Sequence, residues 1–127
     1  MFKITGDTIH LTRGDTAVIG ITAKEDEEHN YEFQVGDVVR FSVYEKSNYN
    51  NVKLRKDVEV LSATEEVELT LTSEETKLDE IINKVKDYWY EVELNPNGNT
   101  QTLVGYDENG AKLFKLYPEG VDMNDNS

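Results

Sequence analysis

Residues Gly36 to Glu45 read GDVVRFSVYE, and their alternation sets the fold class. Gly36-Asp37 marks a turn, because glycine tolerates a positive φ and aspartate hydrogen-bonds its own backbone. Beyond it, Val39, Phe41 and Val43 point one way, while Val38, Arg40, Ser42 and Tyr44 point the other. Period-two alternation with β-branched and aromatic residues predicts a strand with one buried face.

The same pattern recurs on both sides. Phe2-Lys3-Ile4 alternates briefly and stops at Gly6-Asp7; Thr8 to Thr12 alternates with Ile9 and Leu11 on one face. Arg13-Gly14-Asp15 is the next turn. Thr16 to Ala23 reads as a strand with Ala17, Ile19 and Ile21 inward or, in the other register, Val18; Gly20 within it marks a bulge or a close approach of another group. Lys24 to Asn30 is an acidic loop, and Lys46 to Asn51 an asparagine-rich one. Val52 to Leu61 is expected as a strand with an irregularity near Lys56-Asp57. Glu66 to Thr72 alternates most cleanly, with Val67, Leu69 and Leu71 inward.

The period then changes. Thr72-Ser73-Glu74-Glu75 matches a helix start, and Leu78, Ile81, Ile82 and Val85 follow at i, i+3, i+4 and i+7. This spacing predicts a short helix from Glu74 to Lys84. Asp87 to Leu94 returns to strand, with Tyr88, Tyr90, Val92 and Leu94 on one face and Trp89, Glu91 and Glu93 on the other. Asn95 to Asn99 is a turn, Thr100 to Gly105 its hairpin partner, Asp107 to Gly110 a second hairpin turn, and Ala111 to Tyr117 the last strand. The expectation is an all-β chain, an immunoglobulin-like β-sandwich of about eight short antiparallel strands with one short inserted helix; a small barrel is the second choice. Residues 1–117 form its single domain and 118–127 a flexible tail.

Composition narrows the function. With 26 acidic and 13 basic residues the net charge is −13, so phosphate backbones and anionic membranes are repelled, and neither nucleic acid nor membrane is an expected partner. No apolar run approaches the ~20 residues that span a bilayer, and the N-terminus is too polar for a signal peptide. Cysteine is absent, which removes disulfides and thiolate metal sites.

Catalytic sets are equally scarce. The two histidines, His10 on an outward strand face and His29 in the acidic loop, have no serine elbow or cysteine to serve. Glu25 to Glu28 and Asp107 to Asn109 are acidic enough for calcium but lack EF-hand spacing, and read as solvated loops. A non-enzyme without cofactor or metal is expected. Gly6-Asp7-Thr8 and Gly14-Asp15-Thr16 read as two turns flanking one strand; Gly14, Asp15, Gly36 and Asp37 are structural turn residues. Arg13-Gly14-Asp15 spells an integrin-binding tripeptide where a turn is needed anyway. Trp89 is the residue to watch: core packing, a protein interface and a sugar platform are its three readings, and Tyr31, Tyr44 and Tyr49 extend the patch wherever their faces coincide with it.

Three stretches in order resemble a family of phage tail and baseplate proteins from viruses of Gram-positive bacteria. They are Ile9 to Thr16, Tyr31-Glu32-Phe33 followed by Gly36 to Phe41, and Tyr88 to Leu94 followed by Thr100 and Gly105. Across residues 8–117 the chain is similar to the N-terminal module of baseplate upper proteins. The resemblance implies an immunoglobulin-like sandwich and a structural adaptor of the virion, made in the host cytoplasm, homo-oligomeric and docked to other virion proteins. The Glu74–Lys84 segment is longer than the family's turn, and the receptor-binding extension of a full baseplate protein is missing, so no receptor role carries over. The alternative is a carbohydrate-binding module with an aromatic platform near Trp89. A hydrolase would require a carboxylate pair in a concave pocket.

Overall fold

The computed structural model describes residues 1–120. Among the described residues nine strands run in chain order: β1 (Phe2–Thr5), β2 (Thr8–Thr12), β3 (Ala17–Ile21), β4 (Val38–Glu45), β5 (Asn48–Glu59), β6 (Val67–Leu71), β7 (Lys86–Leu94), β8 (Gln101–Val104) and β9 (Lys112–Tyr117). Seven form one sheet, ordered β1-β2-β9-β7-β4-β5 with β8 also on β7; β3 and β6 form a separate antiparallel pair. The all-β class holds.

The alternation at Gly36 to Glu45 places the core. Val39, Phe41 and Val43 are fully buried, and so are Leu69 and Leu71 of β6 and Phe114 and Leu116 of β9. These side chains join Ile19 and Ile21 of β3 in one apolar cluster, so the small sheet covers the large one across a single core. Ala17, Ile19 and Ile21 are the inward set of β3, and Val18 is 53% exposed. Gly20 keeps regular register against Glu68; the close approach there is the Glu66 carboxylate, 2.9 Å from where a Cβ would stand.

Five expectations need correction. The helix from Glu74 to Lys84 does not form. Its start signal does: Thr72 N–H donates to Glu75 Oε1 at 2.9 Å, Glu75 N–H donates back to Thr72 Oγ1, and Thr76 N–H closes one turn on the Thr72 carbonyl. Tertiary ties then override the local period. Thr76 Oγ1 accepts from Gly14 N–H and donates to the Asp15 carbonyl, and Asp79 sits at φ 57°, which ends any right-handed helix. The apolar set splits accordingly: Leu78 is buried, whereas Ile81 and Val85 are exposed.

The strands are not all antiparallel. β2 and β9 pair in parallel, Ile9 opposite Phe114 and Leu11 opposite Leu116. Nor do β8 and β9 form the second hairpin. Both lie along β7, with β9 against Lys86 to Tyr90 and β8 against Val92 to Leu94, and Asp107 bridges to Gly110 across a tight turn between them. The loop expected over Lys46 to Asn51 is shorter, because Glu45 pairs with Asn48 across a two-residue turn. The irregularity on β5 falls opposite Val43 and Tyr44 rather than at Lys56-Asp57. Of the expected tail, Glu119 meets Arg13 at 3.5 Å, and residues 121–127 lie outside the described residues.

Candidate functional site: the outer aromatic face

β4 is buried on both sides. Ser42 and Tyr44, which point away from the core, are 0% and 3% exposed. Something must therefore cover the outer face of the large sheet, and the sequence supplies it from three elements. Register sets Tyr44 directly against Trp89 of β7, and Ser42 against Glu91. The tight β4–β5 turn folds Tyr49 over Tyr44, ring centroids 4.9 Å apart and nearly perpendicular at 79°. Tyr49 also meets Trp89 at 5.2 Å and 49°, and Trp89 meets Tyr106 at 6.0 Å and 61°. Tilted and edge-on pairs are the arrangement that ring quadrupoles favour.

Polar contacts fix the row. Tyr44 Oη donates to Glu91 Oε1 at 2.7 Å, and Arg55 Nε donates to Ser42 Oγ at 3.1 Å. Burial, then the hydrogen bond to the Glu91 carboxylate, holds the Tyr44 phenol above its usual range. Burial and the charge of Glu91 do the same for Tyr49. The Tyr49 hydroxyl is buried yet makes no hydrogen bond to the described residues. Such a group costs about 1–3 kcal/mol to desolvate without a partner. Tyr49→Phe is therefore expected to raise the unfolding free energy by about 1 kcal/mol, read as a shifted urea midpoint with unchanged slope; a loss of stability would show that the hydroxyl has a partner.

Trp89, Tyr44 and Tyr49 thus lie together in one patch. Tyr31 lies outside the row: its ring packs edge-on against Phe33 at 5.2 Å, and its hydroxyl donates to Asp37. Two members escape sequence reading. Tyr106, 65% exposed, follows Gly105, where a Cβ would stand 2.6 Å from Thr102 Cγ2. Its only signal is that glycine, which lets the chain pass tightly beside β7. Glu91 is visible as an outward residue, but its role depends on the Ser42 register.

The turn residues serve the fold. Asp37, after Gly36 at φ 94°, accepts from Tyr31 Oη, Gln34 N–H and Asn95 Nδ2. Burial pushes its carboxyl up, and these three donors outweigh that and leave it lowered. A cleft of 530 Å³ lies beside it, lined by Val35, Val38 and Asn95 to Asn99. Gly14, at φ 87°, and Asp15 bind Thr76 as described. Arg13 is 8% exposed and donates to the Asp79 carbonyl, so the Arg13-Gly14-Asp15 tripeptide does not present its cation to a receptor.

The remaining suspects are locally engaged. Asp26 holds His29 and the Glu28 N–H; Asp107 holds Lys112 Nζ at 2.7 Å and the Asn109 N–H. His10 shares a 2.8 Å hydrogen bond with the Tyr117 hydroxyl. Comparison of the chain with protein-family models, with curated proteins and with solved structures gave no match.

Proposed function

We propose that this chain is a non-enzymatic structural adaptor of a phage or prophage tail or baseplate, an immunoglobulin-like sandwich that docks to other virion proteins and to copies of itself. The observation that carries the docking role is the row Tyr49–Trp89–Tyr106 on the outer face, with Tyr44 beneath it. Aromatic rings are enriched where proteins meet, and here they stand on the solvent side of a sheet whose core is already filled. The phage setting is drawn from the sequence resemblance at Ile9–Thr16, Gly36–Phe41 and Tyr88–Leu94. In this reading the protein is made in the bacterial cytoplasm and resides in the virion. Its net charge of −13 suits basic protein partners and disfavours nucleic acid and membranes.

The second reading, a carbohydrate-binding module, is favoured by the meeting of Trp89 and Tyr49 on the outer face; Tyr44, 3% exposed beneath them, is closed to a sugar ring. The inclination of neighbouring rings by 49° to 79° counts against it, because a sugar chain stacks best on rings sharing one plane. The test mixes the protein with the products of its neighbouring genes and, separately, with insoluble cell-wall glycan. Trp89→Ala is expected to weaken binding to a tail-gene product about tenfold or more, as interface anchors do, and to leave glycan co-sedimentation at background. Glycan binding that disappears in Trp89→Ala would overturn the adaptor in favour of the module.

A further inference from the structure

The large sheet ends in two unequal edges. β1 contributes four residues, whereas β5 contributes twelve. A long edge strand offers a row of unpaired backbone N–H and C=O groups, which natural proteins usually blunt with lysine, proline or a covering element. On β5 the central lysine is not so used. Lys56 turns under the strand, donates to the Thr70 carbonyl and pairs with Glu75 at 2.7 Å. Its neighbours Arg55 and Asp57 are exposed on the outer face, Arg55 donating one N–H to Ser42 and Asp57 accepting from Arg40 at 2.8 and 3.0 Å, with the rest of each charged group open to solvent, while Leu54 and Val58 stay half-buried on the inner face.

We propose that β5 pairs antiparallel with β5 of a second copy, about a two-fold axis through Lys56. Antiparallel pairing about an axis normal to the sheet keeps like faces together, so residues i and j oppose when i and j flank the axis equally. Centred on Lys56, Arg55 of each copy faces Asp57 of the other, and Leu54 faces Val58. Moving the axis to Arg55 sets Arg55 against itself; moving it to Asp57 sets Asp57 against itself. The Arg55 and Asp57 axes thus each create a like pair among the charged residues at 53, 55, 57 and 59, whereas the Lys56 axis opposes only unlike charges there; the one like pair it creates, Lys56 with Lys56, is neutralised within each copy by Glu75. The dimer would carry both aromatic faces on the same side, giving the adaptor two docking surfaces. This inference rests on the self-association in the proposed function, and it names the edge and the register.

Light scattering across a wide concentration range is expected to show a monomer–dimer equilibrium. Arg55→Glu and Asp57→Lys should each raise the dimer dissociation constant about tenfold or more, through like charges across the axis, and the double variant should recover most of the loss. Circular dichroism melts check that each variant folds. The chain has no cysteine, so Lys56→Cys gives a clean second readout. Facing α-carbons of an antiparallel pair lie about 4.5–5.5 Å apart, within disulfide reach. Mild oxidation should cross-link Lys56→Cys and leave Glu59→Cys monomeric. A strict monomer, a dimer indifferent to both reversals, or cross-linking at 59 in place of 56 would overturn the proposal. Trp89→Ala should leave the dimer mass unchanged. A dimer indifferent to both reversals therefore removes this inference alone, a strict monomer removes it together with the self-docking of the proposed function, and loss of neighbour binding with the edge dimer intact removes the docking to other virion proteins alone.

Discussion

Replacing Phe41 with alanine is expected to lower the unfolding free energy by about 3–5 kcal/mol, the range for a large aromatic deleted from a packed core. Phe41 is 0% exposed and lies within 5.6 Å of the Tyr90 ring and 6.3 Å of the Phe114 ring, centroid to centroid. Its strand has a neighbour on each side, so the backbone cannot readily move in to close the cavity. Domains of this size have only about 5–15 kcal/mol in total, so the variant should melt roughly 10–20 °C lower. Val18→Ala, at a site 53% exposed, is the control and should change stability by less than about 0.5 kcal/mol. An equally small effect at Phe41 would mean that the two sheets do not meet there. Because Tyr44 stands on the same strand, the variant should also loosen the outer face, seen as a red shift of the single tryptophan's emission.

How much of this was legible in the sequence depends on the range of the interaction. Period-two alternation is local, and it placed the inward residues of β4, β6 and β7 correctly, down to the buried Tyr88 and Tyr90 and the outward Trp89; for β3 it left two registers open, of which the structure shows the one with Ala17, Ile19 and Ile21 inward. Sheet order is not local. Nothing in Lys112 to Tyr117 says that it will pair in parallel with Thr8 to Thr12 and share one edge of β7 with β8. The helix failed for a related reason. Thr72 and Glu75 form their reciprocal cap as the residues predict, but the period of Leu78 to Val85 competes with ties that reach Gly14, Asp15 and β5. Those partners lie far away in sequence, and a local pattern cannot weigh them. The aromatic face was half legible: the outward side of Trp89 follows from parity, whereas its meeting with Tyr49 depends on a two-residue turn and its meeting with Tyr106 on the passage of Gly105.

Acid is expected to release the same segment through Asp79. Its carboxylate accepts from Lys53 Nζ at 2.8 Å, Lys86 Nζ at 3.1 Å and Tyr88 Oη at 2.8 Å, joining β5 and β7 to the chain between β6 and β7. Burial pushes the Asp79 carboxyl up, but the hydrogen bonds from Lys53, Tyr88 and Lys86 outweigh it and leave its pKa lowered from 3.8 to about 2. The folded value lies below the unfolded one, so the group contributes stability that is fully present above about 4 and is lost as pH falls through 2. With the side chain 26% exposed, solvent screening reduces that contribution to about 1–2 kcal/mol. Asp26, Asp37, Asp57, Glu75 and Asp107 are also lowered, so the acid slope of the wild type alone does not isolate Asp79. The difference between wild type and Asp79→Asn does. Asparagine keeps an acceptor for Tyr88 and tolerates the positive φ, and it should remove only the acid-labile part between pH 4 and 2. Asp79→Ala should cost about 2–4 kcal/mol at neutral pH, because it also strands the hydroxyl of the fully buried Tyr88 and strains φ. Urea titrations at several pH values decide the matter: parallel acid slopes for wild type and Asp79→Asn would show that the carboxylate's charge does not hold the segment, and that Leu78 and Thr76 hold it by packing and hydrogen bonding alone.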